Sequence, residues 1–254
     1  VNRINVIKCL IFGSLLFSFL TNNIYAKEEV GKTPGTRSAQ QQTPNTQKQS
    51  KYLKLVYNPP RRGAPRVRIG GGTRGKGEVL TAVYVLAPEH TGLTTASQPD
   101  LFWYISGGLT NARIEFTLID DHSIEPLLEI PLKDIKGPAV RRIRLSRFGV
   151  KLSPGSEYQW SVALISDPQQ RSLDIVATGR IERTNLPENV KSQLKRANQE
   201  EHAQIYAEAG FWYDSIKVVS DMVDARPDDA QWRNSRASLL EQVGLTEVAA
   251  FDRK

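Results

Sequence analysis

Three histidines, His90, His122 and His202, are the first residues in this 254-residue chain whose types could carry acid-base or metal chemistry. A metal site needs ligands a few residues apart on one helix or loop, and none of the three stands in that relation to another. Asp120-Asp121-His122-Ser123 contains the residue types of a nucleophilic triad. Side chains adjacent in sequence do not reach the mutual geometry a triad requires, and on a hairpin these four are ordinary turn formers. The carboxylate pairs Asp120/Asp121 and Asp228/Asp229 read the same way, as a turn and a helix N-terminus. R-I-G-G-G-T-R-G-K-G, Arg68 to Gly77, nearly spells a phosphate-binding loop. It fails on chemistry, because Gly77 stands where a Ser or Thr hydroxyl must hold magnesium, no buried strand precedes it and no helix pattern follows. Glycines there fit a turning entry into the first strand. No cofactor, metal site or catalytic set is expected, and the chain is read as a non-enzyme.

Charge and composition divide the sequence. Val1 to Ala26 carries Arg3 and Lys8, an apolar run from Cys9 to Leu20, and I-Y-A before Lys27, the pattern of a secretory signal peptide. A spanning helix needs about 20 apolar residues, so this segment is too short for an anchor, and no transmembrane span is expected after cleavage. Its removal takes away Cys9, the one cysteine, leaving no thiol for a disulfide or metal. Residues 27–66 form a basic linker, expected to be disordered because its first half has almost no apolar area to offset the entropy of ordering. From Lys27 to Glu78 there are 12 Lys/Arg against 3 Asp/Glu, a net of +9. The basic tail includes Arg61, Arg62, Arg66, Arg68, Arg74 and Lys76. Nucleic acid is disfavoured as its partner, since an exported protein meets acidic polymers, lipid headgroups or acidic proteins first.

Residues 67–184 have the periodicity of strands. Val79–Leu86, Leu101–Ile105, Arg113–Ile119, Leu127–Ile130, Val140–Leu145, Tyr158–Ile165 and Leu173–Glu182 are rich in β-branched and aromatic residues and bounded by turn formers. Seven such runs suit one antiparallel β-sandwich of fibronectin or immunoglobulin type. L-S-P-G-S-E-Y-Q-W-S-V, Leu152 to Val162, supplies a corner: Pro-Gly turns the chain, Tyr158 can bond its hydroxyl back to the corner backbone, and Trp160 and Val162 follow on one face. Ile114, Phe116 and Leu118 share a face, and Ile143 and Leu145 point opposite to Arg142 and Arg144, so these strands are expected to have one wet side. Trp103 belongs to the core. Asp167 and Arg171, in the hairpin loop Ser166–Ser172, are expected to pair across it, or otherwise to form an exposed recognition pair.

From residue 185 to 254 the apolar period changes to three and four, through Ile205, Ala209, Trp212, Tyr213, Ile216, Val219 and Val223, then Trp232, Leu239, Leu240 and Val243. These are amphipathic helices, ended at Gly210, Pro227 and Gly244, with Asp228-Asp229 capping one of them. Y-A-E-A-G-F-W-Y-D-S-I resembles one tetratricopeptide helix pair. A single pair cannot bury its apolar face, so it must pack on the sandwich or on another chain. Trp212, Ile216 and Trp232 are therefore candidates for an interaction surface.

R-R-G-A-P, G-G-G-T-R-G, L-T-T-A-S-Q-P followed by F-W-Y, E-F-T-L-I-D-D, L-S-P-G-S-E-Y-Q-W, D-P-Q-Q-R-S and Y-A-E-A-G-F-W-Y-D together resemble the cyanobacterial family of unknown function DUF928, from about residue 61 to the end. That resemblance implies an exported protein and assigns no catalytic residue. Ser166 stands where many relatives are expected to carry cysteine, which removes any redox role there. The expected function is protein-protein interaction or assembly in the periplasm or cell envelope, with an unidentified envelope protein as partner and the basic tail adding attraction to an acidic one. The alternative is a module binding a glycan or acidic polymer of the cell wall, which requires exposed aromatics aligned on one sandwich face.

Overall fold

In the computed structural model the described residues are 55–60, 69–70, 81–108 and 112–254. The proposed signal peptide, most of the linker and the whole basic tail (Arg61, Arg62, Arg66, Arg68, Arg74, Lys76) lie outside them. Among the described residues nine strands form two sheets: β1 (Ile69–Gly70), β2 (Val83–Val85), β3 (Gly92–Thr94), β4 (Asp100–Ile105), β5 (Arg113–Asp120), β6 (Leu128–Leu132), β7 (Ala139–Arg144), β8 (Glu157–Ile165) and β9 (Ile175–Arg183). One sheet has the order β1-β2-β4-β7 and the other β3-β9-β8-β5-β6. Every pairing is antiparallel except β3 with β9. All seven sequence-predicted strands are present. β1 and β3 were not foreseen, being two and three residues long and too short to show a period.

Alternation sets the shared core. Ile114, Phe116 and Leu118 of β5 and Tyr158, Trp160 and Val162 of β8 are all buried on one face, opposite Val83, Val85, Leu101, Trp103 and Ile105 of the other sheet. The corner forms as expected. The Ser153 amide donates to Tyr158 Oη at 2.9 Å, Gly155 takes φ +76°, and its amide donates to the Arg183 carbonyl at 2.7 Å.

Five helices follow: α1 (Glu188–Arg196), α2 (His202–Glu208), α3 (Trp212–Ala225), α4 (Ala230–Gln242) and α5 (Thr246–Asp252). Asp229 caps α4 by accepting from the Gln231 amide at 2.9 Å, and Gly210 and Gly244 end helices at φ +83° and +77°. The expectation of one wet face fails for the four-stranded sheet, because α3 and α5 lie on its outer side. All six residues of β4 are buried. Tyr84 donates to Glu247 of α5, and Tyr104 packs on Phe251 with ring centroids 4.9 Å apart. Arg142 is no solvated cation either: it is held by Asp100 at 3.1 Å and by Asp221 and Asp224 of α3 at 2.5 and 2.9 Å, over the Phe102 ring. The described residues fall within one compact unit, with sheets and helices around a continuous apolar cluster.

The linker reading is also corrected at its end. Leu55 and Tyr57 are buried, and residues 55–58 strap the ends of two helices. The Asn58 amide donates to the Ala207 carbonyl at 3.1 Å and its side chain to Glu208 at 3.0 Å. Gln242 of α4 accepts from the Tyr57 amide and donates to the Leu55 carbonyl, at 2.9 and 2.7 Å. The Asn58 bonds reach the last carbonyls of α2, and the Gln242 side chain satisfies the strap's own backbone groups.

Candidate interaction surfaces

The residues proposed for chemistry are dispersed. His122 is exposed on the β5–β6 turn, where its amide donates to Asp120 Oδ1 at 2.9 Å, and Asp121 pairs with Arg180. D-D-H-S is a turn. His202 is bound through Nε2 to the Leu194 carbonyl at 3.0 Å. His90 lies in a cleft of about 330 Å³ with Tyr57, Pro59, Pro88, Glu89 and Gln242 on its walls. Its Nε2 is 2.8 Å from Tyr57 Oη, and burial pushes that hydroxyl well above the usual tyrosine range. A hydrolytic site here would need two carboxylates with the imidazole, and the cleft presents Glu89 alone. Among the described residues no group of three or more His, Cys, Asp or Glu could hold a metal ion, and no helix is long and apolar enough to cross a membrane.

The candidate interaction residues of the helices are internal. Trp212 and Ile216 are 0% exposed and Trp232 is 1% exposed, so the apolar face that sequence suggested for a partner is covered by this chain itself. The physical reason is a plug. Trp212 Nε1 donates to the Leu86 carbonyl at 2.8 Å. Tyr213 Oη accepts from Trp160 Nε1 at 2.8 Å and donates to the Arg180 carbonyl at 2.9 Å, linking α3 to β8 and β9. Gly92 makes room for it: a Cβ there would stand 2.7 Å from the Tyr213 ring. Asp214 continues the same turn of helix, accepting from the Thr95 amide at 2.9 Å and the Thr95 hydroxyl at 2.7 Å. Burial raises its carboxyl pKa, and the Thr95 donors only partly offset that.

Asp167 and Arg171 do not pair with each other. Asp167 accepts from the Gln169 amide and the Gln170 side chain, both at 2.9 Å, and these bonds hold its carboxyl below the usual range. Arg171 turns away to Asp174 at 2.6 Å and Glu115 at 3.0 Å. The loop closes on itself through the Gln169 backbone amide and the Gln170 side-chain amide, which occupy the Asp167 carboxylate, while Asp174 and Glu115 occupy Arg171.

The surfaces that remain are strand edges. β6 and β7 end their respective sheets, joined by residues 133–138. Residues 133–151 contain seven Lys/Arg against one Asp, a local excess hidden in the near-neutral total of the β region. Lys133, Lys136, Arg147 and Lys151 are exposed, and beside them Phe148 is 43% exposed, the one aromatic among the exposed large hydrophobics of the described residues. The signal was present in the sequence as a charge run. It was obscured because Arg142, at its centre, is neutralised.

Among the described residues the molecule is thus a two-sheet β structure followed by five helices that cover one sheet's outer side. The chain belongs to the DUF928 family, described as a domain of unknown function, whose pattern matches residues 69–252. No curated protein matches it. A multi-domain immunophilin from Arabidopsis thaliana aligns with 74% of this chain and 97% of its own, at 8% identity and a TM-score of 0.16, a likeness too small to bear on the fold.

Proposed function

We propose that this DUF928 protein is a non-enzymatic exported protein of the periplasm or cell envelope, of cyanobacterial type, that works by binding another protein during assembly, with a sandwich edge as the contact. The observation that carries the reading is the fate of the apolar surface: Trp212, Ile216 and Trp232 are consumed inside the chain, while three of the exposed large hydrophobics, Ile124 and Leu127 ahead of β6 and Phe148 after β7, flank these two terminal strands, the others being Val56, Leu173 and Val176. Export is supported by the composition of Val1 to Ala26. A fibronectin- or immunoglobulin-like sandwich is supported by the two sheets and the Tyr158 corner, and a tetratricopeptide-like pair by the motif spanning α2 and α3. Here the pair would serve as a lid on a sheet instead of a repeat array. The glycan-binding alternative needs several exposed aromatics aligned on one sandwich face; Trp103, Trp160, Trp212 and Trp232 are all buried, and Phe148 is the one aromatic among the exposed large hydrophobics of the described residues.

Osmotic-shock fractionation of cells expressing the tagged full-length chain tests export. A photo-crosslinking residue at position 147 or, separately, at position 228 then tests the contact. Export with a discrete protein adduct from position 147 and none from 228 is expected. A cytosolic chain, or adducts from neither position, would overturn the proposal.

A further inference from the structure

The open edge of β7 deepens the preceding reading, on which it rests, by specifying the kind of partner. β6 and β7 are both terminal strands among the described residues, but they are not equivalent. β6 carries Pro131 as the fourth of its five residues, which removes an amide from the ladder that an added strand would need. β7, A-V-R-R-I-R, has no proline and keeps every backbone amide. Its inner partner β4 engages all six residues from one side, leaving the opposite row of alternating N–H and C=O groups along the edge.

Cations on an edge strand ordinarily serve to prevent unwanted pairing. Blocking charges act from positions within the strand, and within β7 they are spoken for. Arg142 is neutralised by Asp100, Asp221 and Asp224, Arg141 turns its guanidinium to the carbonyls of Lys136 and Gly137 at 3.0 and 3.4 Å, and Arg144, the last residue of the strand and partly exposed, reaches Asp100 at 3.9 Å. The exposed cations without an ion pair among the described residues, Lys133, Lys136, Arg147 and Lys151, lie outside the strand, before and after it. They leave the ladder open and put positive charge at both ends of it. Phe148 adds an exposed apolar ring at the second end.

We infer that β7 accepts an extended acidic segment of a partner protein as an added antiparallel or parallel strand, with its backbone bonded to residues 139–144, carboxylates near Lys136 and Arg147, and an apolar side chain on Phe148. A second copy of this chain is a poor occupant, since two β7 edges would bring the same cations together. A polyanion without a peptide backbone would use the cations and leave the ladder empty.

The test uses the full-length chain and a fluorescent, acetylated peptide of alternating Glu and Val, compared with the same peptide N-methylated on alternate residues, an alternating Lys-Val peptide, and dextran sulfate. The expected result is saturable binding of the Glu-Val peptide with slowed amide exchange at 139–144. N-methylation, or the combined variant K136E/R147E/K151E, should weaken it by about tenfold or more at low salt. The variant's melting temperature should be unchanged, since all three side chains are exposed and carry no ion pair among the described residues. The local exchange and the N-methyl comparison separate β7 from the basic tail, which would bind both peptides alike. Equal binding of the two Glu-Val peptides, or protection absent at 139–144, would overturn strand addition and leave a polyanion surface. If no peptide binds while position 147 still crosslinks to a partner, this inference fails and the assembly reading stands. Loss of the crosslink as well removes both.

Discussion

The two sheets bury their inner faces alike and differ on their outer ones. The five-stranded sheet leaves a polar outer side, where Glu129, Thr117, Ser161 and Thr178 stand in one cross-strand row. The four-stranded sheet carries Tyr84, Phe102, Tyr104 and Arg142 on the equivalent side, all covered by α3 and α5. One sheet faces water and the other faces helices. The helices are therefore a third layer of the same core: Phe251 of α5 packs on the four-stranded sheet, and Tyr213 of α3 reaches β8 and β9 of the other.

The largest expected effect follows directly. Ending the chain after Thr184 strips the outer face of the four-stranded sheet and empties the space filled by Trp212 and Tyr213. Loss of the single cooperative thermal transition and of near-ultraviolet circular dichroism is expected. A truncated chain that melted cooperatively would show that the helices are a separable domain, and the layered comparison would be broken.

Single residues at the helix–sheet junction come next. Tyr213→Ala removes a fully buried ring and leaves Trp160 Nε1 and the Arg180 carbonyl without their partner, a loss of about 3–5 kcal/mol. Tyr213→Phe, which keeps the ring, should cost about 1–3 kcal/mol through the unpaired groups alone. Gly92→Ala pushes a methyl into the same ring and should cost about 1–3 kcal/mol, with Tyr213→Ala suppressing that cost in the double variant. Urea unfolding of the four proteins checks the set. Additive losses for Gly92→Ala and Tyr213→Ala would mean that the two sites are not in contact.

How much of this could be read beforehand differs by element. Alternation in R-I-E-F-T-L-I and the Pro-Gly-x-x-Tyr corner were legible, because burial on one side of a strand imposes a period of two. The amphipathic spacing through Trp212, Ile216 and Trp232 correctly implied a buried stripe and could not say what buries it. The same limit explains Arg142, whose alternation with Ile143 looked like a wet face until three aspartates from β4 and α3 met it. Leu55 and Tyr57 were lost in a polar, basic stretch whose average composition concealed two apolar anchors. Gly92 offered only a glycine between turn residues, its reason being a ring 121 positions later.

A pH series sharpens the contrast further, through two aspartates on α3. Burial pushes Asp221 upward, but bonds from Lys217 at 2.6 Å and Arg142 at 2.5 Å prevail and hold its carboxyl below the usual range. Its contribution is present above the unfolded carboxylate pKa and is lost as pH falls through the lower folded value. Asp214 is shifted up, chiefly by burial, so the folded state holds that proton more tightly. Its stabilising effect is present below the unfolded pKa and is lost as pH rises through the folded value. Asp221→Asn should flatten the acid limb of melting temperature against pH, and Asp214→Asn the limb above it. Should Asp221→Asn leave the acid limb as steep as before, the latch between α3 and the four-stranded sheet would not be electrostatic.

The smallest expected effect tests the wet side of the comparison. Thr178 lies on the outer face of β9 opposite Ser161, partly exposed, with neither a helix nor an ion pair over it among the described residues. Thr178→Ala deletes a hydroxyl that water already satisfies, so a change within about 0.5 kcal/mol is expected. The same truncation on the other sheet's outer face, Tyr104→Ala, removes a buried ring from under Phe251 and should cost about 3 kcal/mol or more. The ratio of these two numbers is the quantitative form of the difference between the sheets. A loss above about 1 kcal/mol at Thr178, increasing with protein concentration, would mean that this face is covered in solution by a second copy. The five-stranded sheet would then be as dry as its neighbour, and the search for a contact surface would move from the β7 edge to the Thr117–Ser161–Thr178 row.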